Sequence, residues 1–221
     1  GGTLAYADAG SGTPLVLIHG FPLDHSIWDE VGAALERHGR IVRPDLRGLG
    51  ASTVTPAGTT LMETLASDVA ALLDALGIER ATLAGHGLGG YVALAFYRMY
   101  RERVDGLALV ASGVGADAPQ AAADRLALAD RVEREGSAPL VERFGRKPQM
   151  RTLIERTDPA GAAAILRGMA ARVDSSDLLD DVDIPFLLLD GFGDLPMLEV
   201  PRRLAVVLAA LLGGEARGEL A

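Results

Sequence analysis

The sequence has 221 residues, of which 49% are hydrophobic, and this is enough apolar material for one sizeable core in a single domain. Lys and Arg total 21 against 30 Asp and Glu, and the resulting formal charge of −9 disfavours nucleic-acid or anionic membrane partners. The lack of cysteine excludes disulfides, no basic-then-apolar leader opens the sequence, and no apolar run approaches the roughly 20 residues that span a bilayer. We therefore expect a globular, cytoplasmic protein.

Short apolar runs that end in Gly, Asp or Pro predict buried parallel strands at 14–20, 40–48, 81–87, 104–112 and 184–191, and 3–10 resembles a further strand. Segments with helical spacing lie between these runs. Segment 59–77 places six apolar side chains on one helical stripe: Leu61, Leu65, Val69, Leu72, Leu73 and Leu76. Segment 88–104 is apolar on almost all sides of its first half, as expected for a buried helix. This alternation predicts an α/β fold.

The alternation stops at 114–178, a segment rich in Ala, Arg, Asp and Glu that predicts two or three helices and no strand. We interpret it as a helical lid inserted into a core formed by 1–113 and 179–221. Within that core, 198–212 predicts one helix, and the polar tail 213–221 is expected to fray.

The stretch LAGHGLGG, residues 83–90, spaces three glycines between a predicted strand and a predicted helix. This pattern predicts a sharp strand-to-helix turn whose tip, Gly87, has positive φ. Such a backbone costs other residues roughly 1 kcal/mol or more, so glycine relaxes the turn. A phosphate-binding loop is disfavoured because no Lys-Ser/Thr pair follows the glycines.

Five segments resemble the α/β-hydrolase superfamily in order and spacing, in particular its small esterase, enol-lactonase and haloperoxidase-like branch: VLIHGFPLDHSIWDE (16–30), RPDLRGLGAST (43–53), LAGHGLGGYVALAF (83–96), LALVAS (107–112) and IPFLLLDGFGDLP (184–196). The resemblance covers nearly the whole chain. It implies a mostly parallel sheet with flanking helices and a helical lid, and hydrolysis of small carboxylic esters or lactones by a Ser-Asp-His triad without a cofactor.

The resemblance makes Gly87 the position of the nucleophile and Asp194 that of the triad acid. It assigns four positions to substrate binding, with the backbone amides of the second and fourth as oxyanion donors: Gly20, Phe21, His86 and Leu88. The chain departs from the pattern because glycine stands where the family has serine and because no histidine follows Asp194. The family's first and last strands also lack counterparts, so we expect a sheet truncated at its C-terminal edge.

The other candidate side chains are interpreted as structural. His19 is expected to stabilise its turn, His25 to lie in a loop, His38 to lie near a helix end, and His86 to point beneath the turn. Asp45 and Arg47 are expected to hold the loop beside the site, and Ser112 is the nearest alternative hydroxyl but has no evident base. The spacing of His, Asp and Glu predicts no metal site.

The sequence therefore predicts a hydrolase-family protein with little or no esterase activity. Three alternatives stay open: a non-catalytic binder of small molecules, a non-hydrolytic enzyme that stabilises an enolate in the oxyanion hole, and a truncated, frameshifted or redesigned reading frame. We expect a small apolar or acyl ligand in a pocket above Gly87, and self-association through the open sheet edge at 184–191.

Overall fold

The computed structural model describes residues 2–53, 58–190 and 193–213. Its centre is a six-stranded sheet with the order β1-β3-β2-β4-β5-β6. The strands are β1 (Tyr6–Gly10), β2 (Pro14–Ile18), β3 (Arg40–Pro44), β4 (Ala81–His86), β5 (Val104–Val110) and β6 (Phe186–Leu189). Each of the six predicted strand segments contains one of them, and the prediction of an α/β fold with a mostly parallel sheet is confirmed.

The sheet is parallel from β3 to β6, while β1 pairs antiparallel with β3 at one edge. Ile18 pairs with Gly85, and Gly85 pairs with Leu109, so the parallel strands end at the same edge of the sheet. The residues that follow β2, β3, β4, β5 and β6 therefore meet there. In parallel sheets this carboxyl edge is where ligands bind.

Ten α-helices are described: α1 (Asp29–Leu35), α2 (Met62–Ala75), α3 (Leu88–Met99), α4 (Pro119–Glu135), α5 (Ala138–Phe144), α6 (Pro148–Glu155), α7 (Pro159–Ala170), α8 (Asp177–Asp180), α9 (Pro196–Glu199) and α10 (Pro201–Ala209). Helix α2 packs against α3, and helix α1 packs against α10. The predicted stripe of α2 is buried at its four central positions, but Leu61 precedes the helix and is 42% exposed. The helix predicted at 88–104 ends earlier, at Met99, and β5 already begins at Val104.

Segment 114–178 contains four helices, α4 to α7, and the beginning of α8, so the prediction of two or three was too low. Prolines at the first turns of α4, α5, α6 and α7 mark the extra boundaries, because proline starts a helix but interrupts its interior. The two ends of the segment are joined: Arg172 pairs with Asp117 at 2.7 Å, and the Ser175 amide donates to the Val114 carbonyl.

The prediction of a single helix at 198–212 was wrong. The chain forms α9, a non-helical residue at Val200, α10 from Pro201 and a 3-10 turn over Ala210–Leu212. Pro201 causes the break, because a proline disfavours helical geometry at the residue before it. Within the described ranges, none of the helices combines the length and the apolar character needed to cross a membrane.

Candidate functional site

The turn between β4 and α3 has the predicted geometry. Gly87 lies between His86, the last residue of β4, and Leu88, the first of α3, with φ 51° and ψ −110°. A Cβ atom built on Gly87 would meet no described atom within 4 Å. The tip is therefore an open, half-buried position with room for a side chain. Its backbone conformation alone favours glycine.

The neighbouring glycines are required by close packing. A Cβ on Gly89 would lie 2.2 Å from the Ile18 carbonyl oxygen, and a Cβ on Gly85 would lie 2.2 Å from the carbonyl oxygen of Gly89. Helix α3 thus begins in contact with both β2 and β4. The first and third glycines of the motif shape the turn, whatever residue stands at its tip.

The loop after β2 borders this turn and also contacts the helical segment. The ring of Phe21 meets that of Phe144 of α5 edge to face, with 5.9 Å between centroids. The carbonyl of Pro22 accepts a hydrogen bond from the Thr157 hydroxyl at 3.2 Å. Helix α5 and the residues that follow α6 therefore lie against the loop that carries Gly20 and Phe21. A separate groove lies between α2, α3 and the two ends of the segment, and it is lined by Met62, Glu63, Tyr91, Leu94, Ala95, Val114, Arg172, Val173 and Ser175.

His19 is fully buried, and both of its ring nitrogens are engaged. Nδ1 lies 3.0 Å from the Gly20 carbonyl, to which it donates, and Nε2 accepts from the Leu46 amide at 2.9 Å. Burial lowers the pKa of His19, which favours the neutral ring that these two bonds require. The expected role in stabilising the turn agrees with these contacts.

His86 lies beneath the turn and bonds to the residue at the acid position. Its Nε2 is 2.8 Å from the backbone carbonyl oxygen of Asp194, so Nε2 carries the donated proton. Burial lowers the pKa of His86. Asp194 is exposed after β6, and its backbone oxygen accepts the hydrogen bond from the histidine.

Ser112 follows β5 and its hydroxyl donates to the Gly87 carbonyl at 2.9 Å. A Cβ on Gly90 would lie 2.2 Å from the Ser112 oxygen, so this hydroxyl is packed against the start of α3. Its proton supports the backbone of the turn.

A histidine–carboxylate pair at the same edge was missed by the sequence analysis. The Asp45 carboxylate is 1% exposed and accepts from His25 Nδ1 at 2.7 Å, from the His25 amide at 2.8 Å and from the Ala51 amide at 2.8 Å. Burial opposes ionisation of Asp45, but these hydrogen bonds outweigh it and lower the pKa of the carboxyl. The bond to Asp45 in turn raises the pKa of His25. Asp45 holds its loop as expected, whereas Arg47 pairs with Asp68 of α2.

Asp24 lies beside this pair, and one ligand atom each from Asp24, His25 and Asp45 falls within 4.8 Å of the others. One Asp24 oxygen accepts from the amide and hydroxyl of Ser26, at 2.9 and 2.5 Å. Hydrogen bonds within the protein therefore account for this grouping of acidic and imidazole groups. The sequence signal was weak, because Asp45 is 20 residues away from its partner His25.

Comparison with known proteins gives one family and several relatives. Residues 13–159 match a family model described as the alpha/beta hydrolase fold. A thermophilic esterase from Thermogutta terrifontis, solved with malate bound, is 34% identical with a TM-score of 0.88, and the match covers 95% of this chain and 93% of that one. An enol-lactonase from Burkholderia xenovorans LB400 is 23% identical with a TM-score of 0.78, over 96% and 97% of the two chains.

A curated relative extends the range of activities. The soluble epoxide hydrolase of a Corynebacterium species is 41% identical over 102 residues, which are 46% of this chain and 35% of that protein. The match thus spans about a third of the relative's length.

Proposed function

The chain belongs to the α/β-hydrolase family, and from that premise we propose that it binds the acyl part of a small carboxylic ester or lactone and hydrolyses it slowly or not at all. The observation that carries the proposal is the turn at Gly87, which has the geometry that presents a nucleophile and has no side chain there. The esterase and lactonase activities named for the relatives support the choice of ligand.

Binding is supported by the surroundings of the tip. Helix α3 begins with Leu88, Gly89, Gly90 and Tyr91, all uncharged, and the first amides of a helix carry partial positive charge toward a bound carbonyl oxygen. The ring of Phe21, in the loop that borders the tip, supplies apolar surface and packs against Phe144. In this proposal the amides of Phe21 and Leu88 hold the ligand's carbonyl oxygen.

Slow hydrolysis follows from the state of the neighbouring groups. Acyl transfer by a serine enzyme needs a hydroxyl next to a base that removes its proton. The Ser112 hydroxyl donates to the Gly87 carbonyl, and His19 uses both ring nitrogens in hydrogen bonds. These contacts leave electrostatic stabilisation of a bound carbonyl, which by itself retains part of the acceleration in serine hydrolases.

The test combines an assay with a binding measurement. We expect the chain to bind butyrate in calorimetry and to release p-nitrophenol from p-nitrophenyl acetate with no burst. Gly87→Ser should bind as well and still show no burst, because the new hydroxyl has no adjacent base. Gly113→Ser is the control, since Gly113 also has open space around its Cβ position but lies after β5. Rapid, saturable turnover by the unaltered chain would refute the proposal.

A second candidate function is favoured by the His25–Asp45 pair. A histidine oriented by a buried carboxylate is the arrangement that proton-transfer enzymes use, and this one lies at the same sheet edge as the turn. The chain would then stabilise an enolate in the oxyanion hole while His25 moves a proton on carbon. Deuterium uptake at the α-carbon of ethyl acetoacetate, followed by NMR, tests this; an unchanged rate in His25→Gln would exclude the role of His25.

The proposed partners are the small ligand and a second copy of the chain. Strand β6 is at one edge of the described sheet, and Leu188 is 53% exposed there. An exposed apolar edge strand recruits another strand. Light scattering at several concentrations tests this, and Leu188→Lys should abolish the association.

A further inference from the structure

The side chain of His86 contacts two of the loops that border the tip. It belongs to the last residue of β4, directly before Gly87, and its Nε2 donates to the Asp194 carbonyl at 2.8 Å. Its Nδ1 and Cε1 atoms face Gly20, because a Cβ built on that glycine would lie 2.3 and 2.8 Å from them. The ring therefore fills the space between the loop after β2 and the loop after β6.

This arrangement leaves a polar atom without a partner. His86 is 7% exposed, and Nδ1 is buried with no hydrogen-bond partner among the described residues. Since Nε2 carries the proton that is donated to Asp194, the neutral ring presents Nδ1 as an unmatched acceptor. A buried unmatched acceptor is unfavourable, and an apolar side chain of similar volume would avoid it. An apolar side chain, however, could not donate the hydrogen bond that Nε2 makes to the Asp194 carbonyl.

We propose that His86 is a positioning residue that holds the Gly20–Phe21 loop and the Asp194 segment in register with the tip at Gly87. The inference rests on the proposed binding of a ligand at that tip, and His86 acts on the ligand only through these two loops. The carbonyl of Asp194 is the anchoring point, and the packing against Gly20 sets the position of the first oxyanion donor.

The effect of His86 should extend along the chain after Asp194. That residue leads into α9, which packs against the 3-10 turn of His25–Trp28. The amides of Leu198 and Glu199 both donate to the Leu195 carbonyl, at 2.9 and 3.0 Å. The single tryptophan of the chain, Trp28, lies in the turn that α9 contacts. Release of the Asp194 carbonyl is thus measurable at these amides and in the tryptophan emission.

The test compares two amide substitutions that differ by one methylene. The terminal nitrogen of His86→Gln reaches about as far from the backbone as Nε2 and can donate to the Asp194 carbonyl, whereas that of His86→Asn falls short. In His86→Asn we expect exchange at Leu198 and Glu199 to accelerate about tenfold more than exchange in α2, with a change in Trp28 emission. In His86→Gln the exchange rates of Leu198 and Glu199 should stay within about threefold of those in the unaltered chain, and the Trp28 emission should not change.

A substitution in the core gives the control for general loss of stability. Leu65→Ala removes a fully buried side chain of α2 and should accelerate exchange throughout the chain, with no preference for 195–199. Equal exchange in His86→Gln and His86→Asn, or the same uniform pattern as Leu65→Ala, would overturn the proposal.

Ligand binding separates this inference from the function on which it rests. Calorimetric titration with butyrate should give a dissociation constant about tenfold larger in His86→Asn than in His86→Gln. If neither variant nor the unaltered chain binds, the proposed function fails, and the exchange pattern still decides the role of His86 in holding the loops. If butyrate binds equally to both variants, the positioning role fails.

Discussion

The turn at Gly87 and the His25–Asp45 pair lie at the same edge of the sheet and differ in what they contain. The turn has a positive-φ backbone geometry with no reactive side chain, while the pair has two titratable side chains from two loops that share a hydrogen bond. The turn is shaped by the packing of Gly85 and Gly89, and the pair by hydrogen bonds to one buried carboxylate. Backbone presentation and proton chemistry are therefore encoded by separate residues in this chain.

The largest effect should come from breaking the packing that shapes the turn. Gly89→Ala places a Cβ 2.2 Å from the Ile18 carbonyl oxygen, so β2 and α3 must move apart. We expect a loss of about 3 kcal/mol in the free energy of unfolding, measured in urea. Gly113→Ala, which meets no described atom within 4 Å, is the control and should change it by less than about 0.5 kcal/mol.

The pair is tested by removing one of its acceptors. Asp45→Asn leaves a buried amide group facing either the Ala51 amide or His25, and we expect a loss of about 2 kcal/mol in urea. Asp29→Asn removes an acidic group whose side chain is 61% exposed beside Arg43, and it should cost less than about 1 kcal/mol. Equal losses of unfolding free energy in the two variants would mean that the burial of Asp45 does not increase its contribution to stability.

Restoring a side chain at the tip measures the backbone cost by itself. Gly87→Ser and Gly87→Ala should each lower the free energy of unfolding by roughly 1 kcal/mol, because both must adopt positive φ. The space around the Cβ position adds no steric penalty within the described residues. If the serine variant were clearly more stable than the alanine variant, its hydroxyl would have a hydrogen-bond partner, and the turn would no longer lack chemistry.

The smallest effect is a pH dependence that belongs to the pair alone. The raised pKa of His25 means that its protonated form stabilises the fold fully below about pH 6.5, the unfolded value, and that this stabilisation is lost as the pH rises through the folded value. Asp45, with a lowered pKa, contributes above its unfolded value and loses this contribution in acid. The stability difference between the unaltered chain and His25→Gln, measured in urea, should therefore shrink as the pH rises from 6 to 9. A constant difference would contradict the pairing.

The two regions also differ in how far the sequence predicts them. The turn follows from local spacing, since three glycines between an apolar strand and an apolar helix leave few other geometries, and Gly87 has the expected positive φ. The pair of His25 and Asp45 forms only because β2 and β3 are neighbours in the sheet, and nothing local to either residue indicates the other. The contact of His86 with Asp194, 108 residues away, was missed for the same reason. The number of helices in 114–178 and in 198–212 was underestimated, although the prolines that start the additional helices are visible in the sequence.

The shape of the turn has a consequence for how this chain can change over time. Because the neighbours of Gly87 hold the backbone, folding of the protein depends little on which residue stands at the tip. A lineage could exchange serine and glycine there by a single substitution, since serine costs roughly 1 kcal/mol of stability and the return to glycine restores it. Foldability would then place no barrier to either residue at the tip, and selection on the ligand alone would decide which of them persists.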